Sequence, residues 1–169
     1  MKAHVLGNGP SIDIYTPGDG FVLGCNIQKH PIDVAAVMDM KPFMKYCGNR
    51  DVFQGKAIIT SEYAMPYLRD HEIDHEFTIL HKVPYLEKYM TSGHAAVDWL
   101  IDHEYKEIHL WGFDSIWADT QETKTDDMIE RSRAQFDLYI HWRQRWQKYK
   151  GFGIIVHNTL EGTRLEELL

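Results

Sequence analysis

Short, unbroken apolar runs recur along this chain at 3–6, 20–25, 33–38, 56–60, 76–80, 106–111 and 152–157, each closed off by Gly, Pro, Asp or Asn. Runs of that length read as strands, since a helix needs roughly ten residues or more. Most are continuous rather than alternating, as in Val34-Ala35-Ala36-Val37-Met38 and Ile108-His109-Leu110-Trp111. A strand that is apolar on both sides must be covered on both sides, and helices on the two faces of a parallel sheet provide that cover. The pattern confines the chain to an α/β architecture, a three-layer Rossmann-like domain with a mostly parallel sheet of six or seven strands.

The covering helices are clearest on either side of the 106–111 run. Ser92 and Gly93 stand at an N-cap position ahead of His94-Ala95-Ala96-Val97-Asp98-Trp99-Leu100-Ile101, whose alanines and broad apolarity predict a helix buried around much of its circumference. A longer helix is predicted over about 126–149, opened by Thr125, Asp126 and Asp127. Along it Ile129, Phe136 and Ile140 form one stripe, and Leu138, Trp142 and Trp146 a second at four-residue spacing, which is a core-facing pattern. Asn158-Thr159 resembles a cap for a short C-terminal helix carrying Leu165, Leu168 and Leu169. No repeat or low-complexity linker divides residues 1–169, so one domain is expected, burying roughly 70% of the surface of its unfolded chain. Its ligand belongs at the carboxyl ends of the strands, where a doubly wound sheet reverses order.

A net charge of −7 argues against sequence-independent nucleic-acid binding, which draws its affinity from lysine and arginine on phosphates. The one basic segment, with Arg131, Arg133, Arg143, Arg145, Lys148 and Lys150, falls on the 126–149 helix and reads equally as a homodimer face or a solvated side. No apolar run approaches the roughly 18 residues of a membrane span, and no signal-peptide core opens the chain, so a soluble, cytoplasmic protein without a membrane partner is expected. Cys25 and Cys47 lack the number and spacing of a disulfide framework or zinc site, which leaves buried thiols as the simpler expectation.

Five polar motifs follow predicted strands or open helices: Gly7-Asn8-Gly9-Pro10-Ser11, Gly24-Cys25-Asn26, Met38-Asp39, Thr91-Ser92-Gly93 and Gly112-Phe113-Asp114. The fold would gather them at one sheet edge. In the first, the glycines permit backbone angles closed to other residues and close approach of a ligand, so the turn is expected to present unpaired amides to an anion. Asn8 and Ser11 add side-chain hydrogen bonding, and Pro10 stiffens the exit. Each motif alone has an ordinary use as a turn or cap. Their ordered recurrence carries the functional reading.

That series, together with Tyr105-Lys106-Glu107-Ile108-His109-Leu110-Trp111-Gly112-Phe113-Asp114, resembles bacterial sialyltransferases of glycosyltransferase family 42. It is equally similar to the 6-hydroxymethylpterin pyrophosphokinase-like domains, a group that includes small phage-encoded proteins. The resemblance spans about residues 3 to 114, with a fainter echo at Asn158 to Leu165. It implies that Asn8 and the backbone of Gly7 to Ser11 hold nucleotide phosphates, that Cys25-Asn26 lies at the ribose or sugar side, that Ser92 and Gly93 hold the nucleotide at a helix N-terminus, and that Asp114 sits near base or ribose. A helix start with free N–H groups does favour an anion.

The chain departs from the sialyltransferase pattern twice. Ser115 to Asp127, where those enzymes carry a histidine base, contains no histidine, and Asp39 stands where they favour Asn. Asp39 and Asp114 together would suit Mg²⁺ against a di- or triphosphate, a hard cation that takes one or two carboxylates plus phosphate oxygens. Facing each other without a cation, one of the two would have a raised pKa; capping of loops is the structural alternative. His94, behind the Ser-Gly helix start and held neutral there, and His157, ending the last run, are the candidates to move a proton, with packing as the equal alternative. His141 reads as structural.

His71-Glu72-Ile73-Asp74-His75 matches the His-Glu-x-x-His pattern of zinc hydrolases. The strand-like Glu76 to Leu80 follows at once and Asp74 replaces apolar filling, so a solvated charged turn competes with a metal site. Three functions stay open: a nucleotide or nucleotide-sugar transferase moving a glycosyl or diphosphate group, a non-catalytic module that binds or sequesters a nucleotide, and, remotely, a zinc hydrolase.

Overall fold

A computed structural model describes residues 1–26, 28–48, 57–70, 78–84, 90–113, 141, 144–157, 165 and 169. Seven strands, β1 (Lys2–Leu6), β2 (Phe21–Cys25), β3 (Val34–Val37), β4 (Ala57–Ser61), β5 (Thr78–Val83), β6 (Glu107–Trp111) and β7 (Ile154–His157), form a single sheet in the order β5-β4-β3-β2-β1-β6-β7. Every pairing is parallel. The Rossmann-like expectation holds, and the strands fall on the predicted runs with one displacement. β5 continues to Val83 rather than ending at Leu80, because it is an edge strand with mostly exposed side chains and admits the polar His81 and Lys82. Apolar continuity marks only strands buried on both faces.

Three layers result. On one face Ala3, Val5, Leu23, Cys25, Ile108 and Leu110 pack beneath α3 (Ser92–Asp102), joined by Trp146, Tyr149 and Leu165. On the other, Leu6, Ala35, Val37 and Ile58 meet the 3-10 turn Pro10–Ile14 and two short helices, α1 (Met40–Gly48) and α2 (Ala64–Asp70). The sequence pattern did not announce α1 and α2, each with a proline at its third position. Pro42 and Pro66 fall in the first turn, where the missing N–H has no intrahelical partner to lose, so the helices tolerate them.

Of the predicted 126–149 helix, His141, residues 144–146 and the 3-10 turn Gln147–Tyr149 are described. Trp146 is fully buried in the core, as the four-residue spacing anticipates. Ile129, Phe136, Leu138, Ile140 and Trp142 lie outside the described residues, and with them most of the suggested dimer face. His141 is exposed. Among the described residues no helix is long and apolar enough to cross a membrane. Both cysteines are free; burial pushes the Cys25 thiol up to about 12 and that of Cys47 up to about 11, so neither is a thiolate near neutrality.

Candidate functional site

The chain steps from β1 outward through β2, β3, β4 and β5, then returns to place β6 on the other side of β1. The carboxyl ends of β1 and β6 therefore form the topological switch point, the place where sheets of this kind open a crevice. Gly7 and Gly9 stand there, but their amides are committed: Gly7 N–H donates to the Trp111 carbonyl at 2.7 Å and Gly9 N–H to that of Gly112 at 2.8 Å. The expectation that these two amides face an anion is thus corrected. The glycines serve a close crossing instead. A Cβ on Gly7 would collide with the Gly112 carbonyl, and Gly112 itself is left-handed at φ +71° with Gly9 O 3.2 Å from where its Cβ would be. Ser11, in the turn that Pro10 opens, is fully buried.

Uncommitted amides are found at α3 instead. Its N-cap is Thr91, one residue before the predicted position, with a reciprocal box: Thr91 Oγ1 accepts from His94 N–H at 3.4 Å, and His94 Nδ1 accepts from Thr91 N–H at 3.1 Å. The cap accounts for the His94 amide. The amides of Ser92 and Gly93 have no protein acceptor among the described residues. Gly93 is a glycine because the Phe113 ring occupies the space a Cβ would need.

Ser92 ties this helix start to two strand ends. Its hydroxyl accepts from Met38 N–H after β3 and donates to Asn26 Oδ1 after β2, each at 3.1 Å. Asn26 holds a left-handed backbone at φ +58°, a conformation asparagine tolerates better than most residues, and its N–H donates to Ala36 O. Two residues singled out from sequence, 66 positions apart, are therefore brought into contact. Asn8, exposed at the end of β1, donates through Nδ2 to Cys25 O at 2.9 Å. Cys25 takes part through this carbonyl, its thiol being buried.

Sequence reasoning missed Gln28. Its side chain is 4% exposed, and Nε2 lies within hydrogen-bond distance of Leu6 O, Gly7 O, Asn8 Oδ1 and Cys25 O, pinning the ends of β1 and β2 together and holding Asn8. A lone glutamine in a loop carries no pattern that would have flagged it.

Asp39 lies on the same edge, exposed and directly before α1, and partial burial of its carboxyl raises its pKa. Its supposed partner Asp114 lies outside the described residues, as do Asn158 and the His71-Glu72-Ile73-Asp74-His75 segment. Among the described residues no group of three or more His, Cys, Asp and Glu is placed to hold a metal ion.

His94 does not reach this edge as a reactive group. It is fully buried, its Nδ1 is spent in the capping box, and its ring packs against Trp146 at 4.6 Å. These are the surroundings that the packing reading of that residue describes. His157 ends β7 and belongs to a cluster the sequence did not reveal. On the sheet face opposite α3, His4 pairs in register with His109, and Trp111 with His157. Glu107 Oε1 meets His109 Nε2 at 2.7 Å, and His109 Nδ1 meets His157 Nε2 at 2.7 Å. Trp111 Nε1–H donates to His4 Nδ1 at 3.1 Å, and the opposite ring nitrogen of His4 meets Asp19 O at 3.1 Å. The Trp111 and His157 rings stack at 3.7 Å and 4°. Desolvation is the main reason that the pKa values of His4 and His157 are lowered, with the neighbouring ring of His109 adding to it.

Together these features define an α/β protein of the Rossmann-like class with a polar carboxyl edge at its switch point. No protein-family model and no curated protein matches the chain. Among solved structures it is similar to the sialyltransferase CST-II, determined in complex with a trisaccharide acceptor and CMP, with a TM-score of 0.53, 16% identity, and coverage of 93% of this chain and 81% of that one. The likeness is one of fold.

Proposed function

We propose that the chain binds a nucleotide or nucleotide-sugar across the carboxyl ends of β1, β2 and β3 and transfers the group it carries. The supporting observation is the start of α3. Two first-turn amides, those of Ser92 and Gly93, without protein acceptors among the described residues sit beside Asn26, on a helix whose N-terminal partial charge favours a phosphate. Asn8, exposed and held at the end of β1, lines the same edge. In this reading the anion is held at α3 rather than at Gly7 and Gly9, and Asp39 orients the ribose or, with Asp114, a Mg²⁺ ion. The fold likeness to a sialyltransferase solved with CMP supports a nucleotide of that kind.

Calorimetry against CMP, a CMP-sugar, ATP and a cyclic nucleotide, each with and without Mg²⁺, tests binding, and product analysis tests transfer. CMP or the CMP-sugar is expected to bind, with Asn8→Ala weakening it about tenfold, the cost of one hydrogen bond to a charged group. No binding to any of the four removes the proposal. A CMP-sugar bound but returned intact after long incubation with acceptor reduces the protein to a binding module.

A further inference from the structure

We propose that His4 is a proton-operated switch: neutral, it holds the indole of Trp111 in place at the end of β6, and protonated, it expels that indole from its seat. The directions of the bonds carry this. An indole N–H can only donate, so the 3.1 Å contact from Trp111 Nε1 fixes a lone pair on His4 Nδ1. The neutral ring then keeps its hydrogen on Nε2, which donates to the Asp19 carbonyl at 3.1 Å. Both nitrogens are committed. A second proton has only Nδ1 to go to, where it meets the indole N–H donor to donor. Turning the ring over gives no relief, because the cation carries a hydrogen on each nitrogen.

The His4 ring has no room to step aside. It is 4% exposed in the middle of β1, with the His109 ring at 5.1 Å and that of Tyr15 at 5.8 Å. Gly20 crosses it so closely that an added Cβ would stand 3.2 Å from Cδ2 and 3.3 Å from Nε2. The bond to Asp19 survives protonation and strengthens, since a charged donor makes the stronger hydrogen bond. The bond that yields is the one to Trp111. Its ring is half-buried, set edge-on to Tyr15 at 5.4 Å and stacked on His157 at 3.7 Å, and leaving that seat takes the N–H to water. Trp111 also closes β6 at the switch point, where its carbonyl accepts from Gly7 N–H, so the switch adjoins the turn that carries Asn8.

Lys2 shares a strand with His4, Glu107 and His109 face it from β6, and Tyr15 and Asp19 cross it from the segment that leads into β2. Burial is the largest influence and holds the His4 pKa below 6.5; the Asp19 carbonyl and Glu107 favour the cation, whereas His109 and Lys2 oppose it. Burial raises the pKa of Tyr15, which stays a neutral phenol throughout. His157 and His30 stand one ring further out, against His109 and Tyr15. The proton therefore arrives on the acid side of 6.5, and no nucleotide is needed for the switch to turn.

NMR of the whole protein without ligand, followed from pH 8 down through the His4 titration, tests the switch. At pH 8 His4 is expected as the Nε2–H tautomer. The Trp111 indole N–H signal, identified by its loss in Trp111→Phe, should move with the same midpoint as the His4 ring, and its Overhauser contacts to Tyr15 and His157 should be lost with it while the strand amides keep their folded positions. In Trp111→Phe the opposing donor is gone, and the His4 midpoint should rise by about half to one pH unit, the worth of one hydrogen bond. His4→Gln can accept from the indole and donate to Asp19 but takes up no proton, so it should keep the indole docked across the range; where that variant does not fold, Trp111→Phe decides. An Nδ1–H tautomer at His4, indole contacts that persist once His4 is protonated, a His4 midpoint unchanged or lowered in Trp111→Phe, or unfolding of the whole chain before the indole moves each overturns the switch.

Discussion

At Gly7 a single hydrogen atom in place of a side chain decides how two loops cross. The anion-cradle and packing readings of this glycine make different demands: a cradle needs its N–H free, whereas a crossing needs its Cα bare. The N–H is bonded to Trp111 O and the Cα faces the Gly112 carbonyl, so the packing demand is the one being met. Gly7→Ala is accordingly expected to cost about 1–3 kcal/mol or more, the range for forcing atoms into a packed site, because the obstructing atom is backbone and has no rotamer to change. Chemical denaturation of the two proteins measures it, and an unchanged midpoint would contradict the crossing. Gln28 shows the complementary limit on sequence reading. Its NH₂ group, with two hydrogens to donate, lies within reach of three carbonyls at the ends of β1 and β2 and of Asn8 Oδ1, a role defined wholly by where the chain returns.

At the scale of elements, α3 was legible and its boundary nearly so. Its alanines and apolar breadth marked a helix buried on most sides, and residues Ser92 to Val97 are all buried. The cap shifted by one residue because Thr91, Ser92 and Gly93 are all acceptable cap types, and only the hydrogen bond to His94 N–H selects Thr91. Thr91→Ala should destabilise the protein by about 0.5–2 kcal/mol, seen as a lower urea midpoint with unchanged m-value. Ser92→Ala should not reproduce a capping loss; it removes the hydroxyl that accepts from Met38 N–H and donates to Asn26 Oδ1, and would act at the candidate site. β6 was harder to read. Glu107, His109 and Trp111 repeat every second residue and so share a face, but the intervening Ile108 and Leu110 made the run look uniformly apolar. The period-two polar series was the available signal for the histidine cluster.

For the whole molecule, the cluster sets a pH dependence whose sign follows from its lowered pKa values. His4 and His157 sit below their ordinary value of 6.5 in the folded state. Above 6.5 both folded and unfolded chains are neutral there and nothing is lost. As pH falls below 6.5 the unfolded chain takes up protons that the folded one refuses, so stability drops through the window down to the folded pKa values. Glu107, lowered from 4.5, contributes in the same direction at more acid pH, where its pairing with His109 is lost. Urea midpoints should therefore fall between pH 7.5 and 5.5, and His157→Gln should flatten that slope. A profile equally steep in the variant would remove His157 from the cause.

Strand number, strand positions and the parallel α/β class were determined by local chemistry, since a short run that is apolar on both sides has only one environment that satisfies it. The same local chemistry marked Asn8, Asn26 and Ser92 as edge residues, because asparagine and serine beside glycine end strands and start helices wherever they occur. Tertiary structure alone decided that Ser92 meets Asn26 and Met38, that the Gly7 and Gly9 amides are consumed by the loop after β6, and that His4, His109 and His157 come together from strands far apart in sequence. Those contacts depend on sheet order and register. A parallel sheet sets both through crossovers whose geometry no short stretch of residues contains.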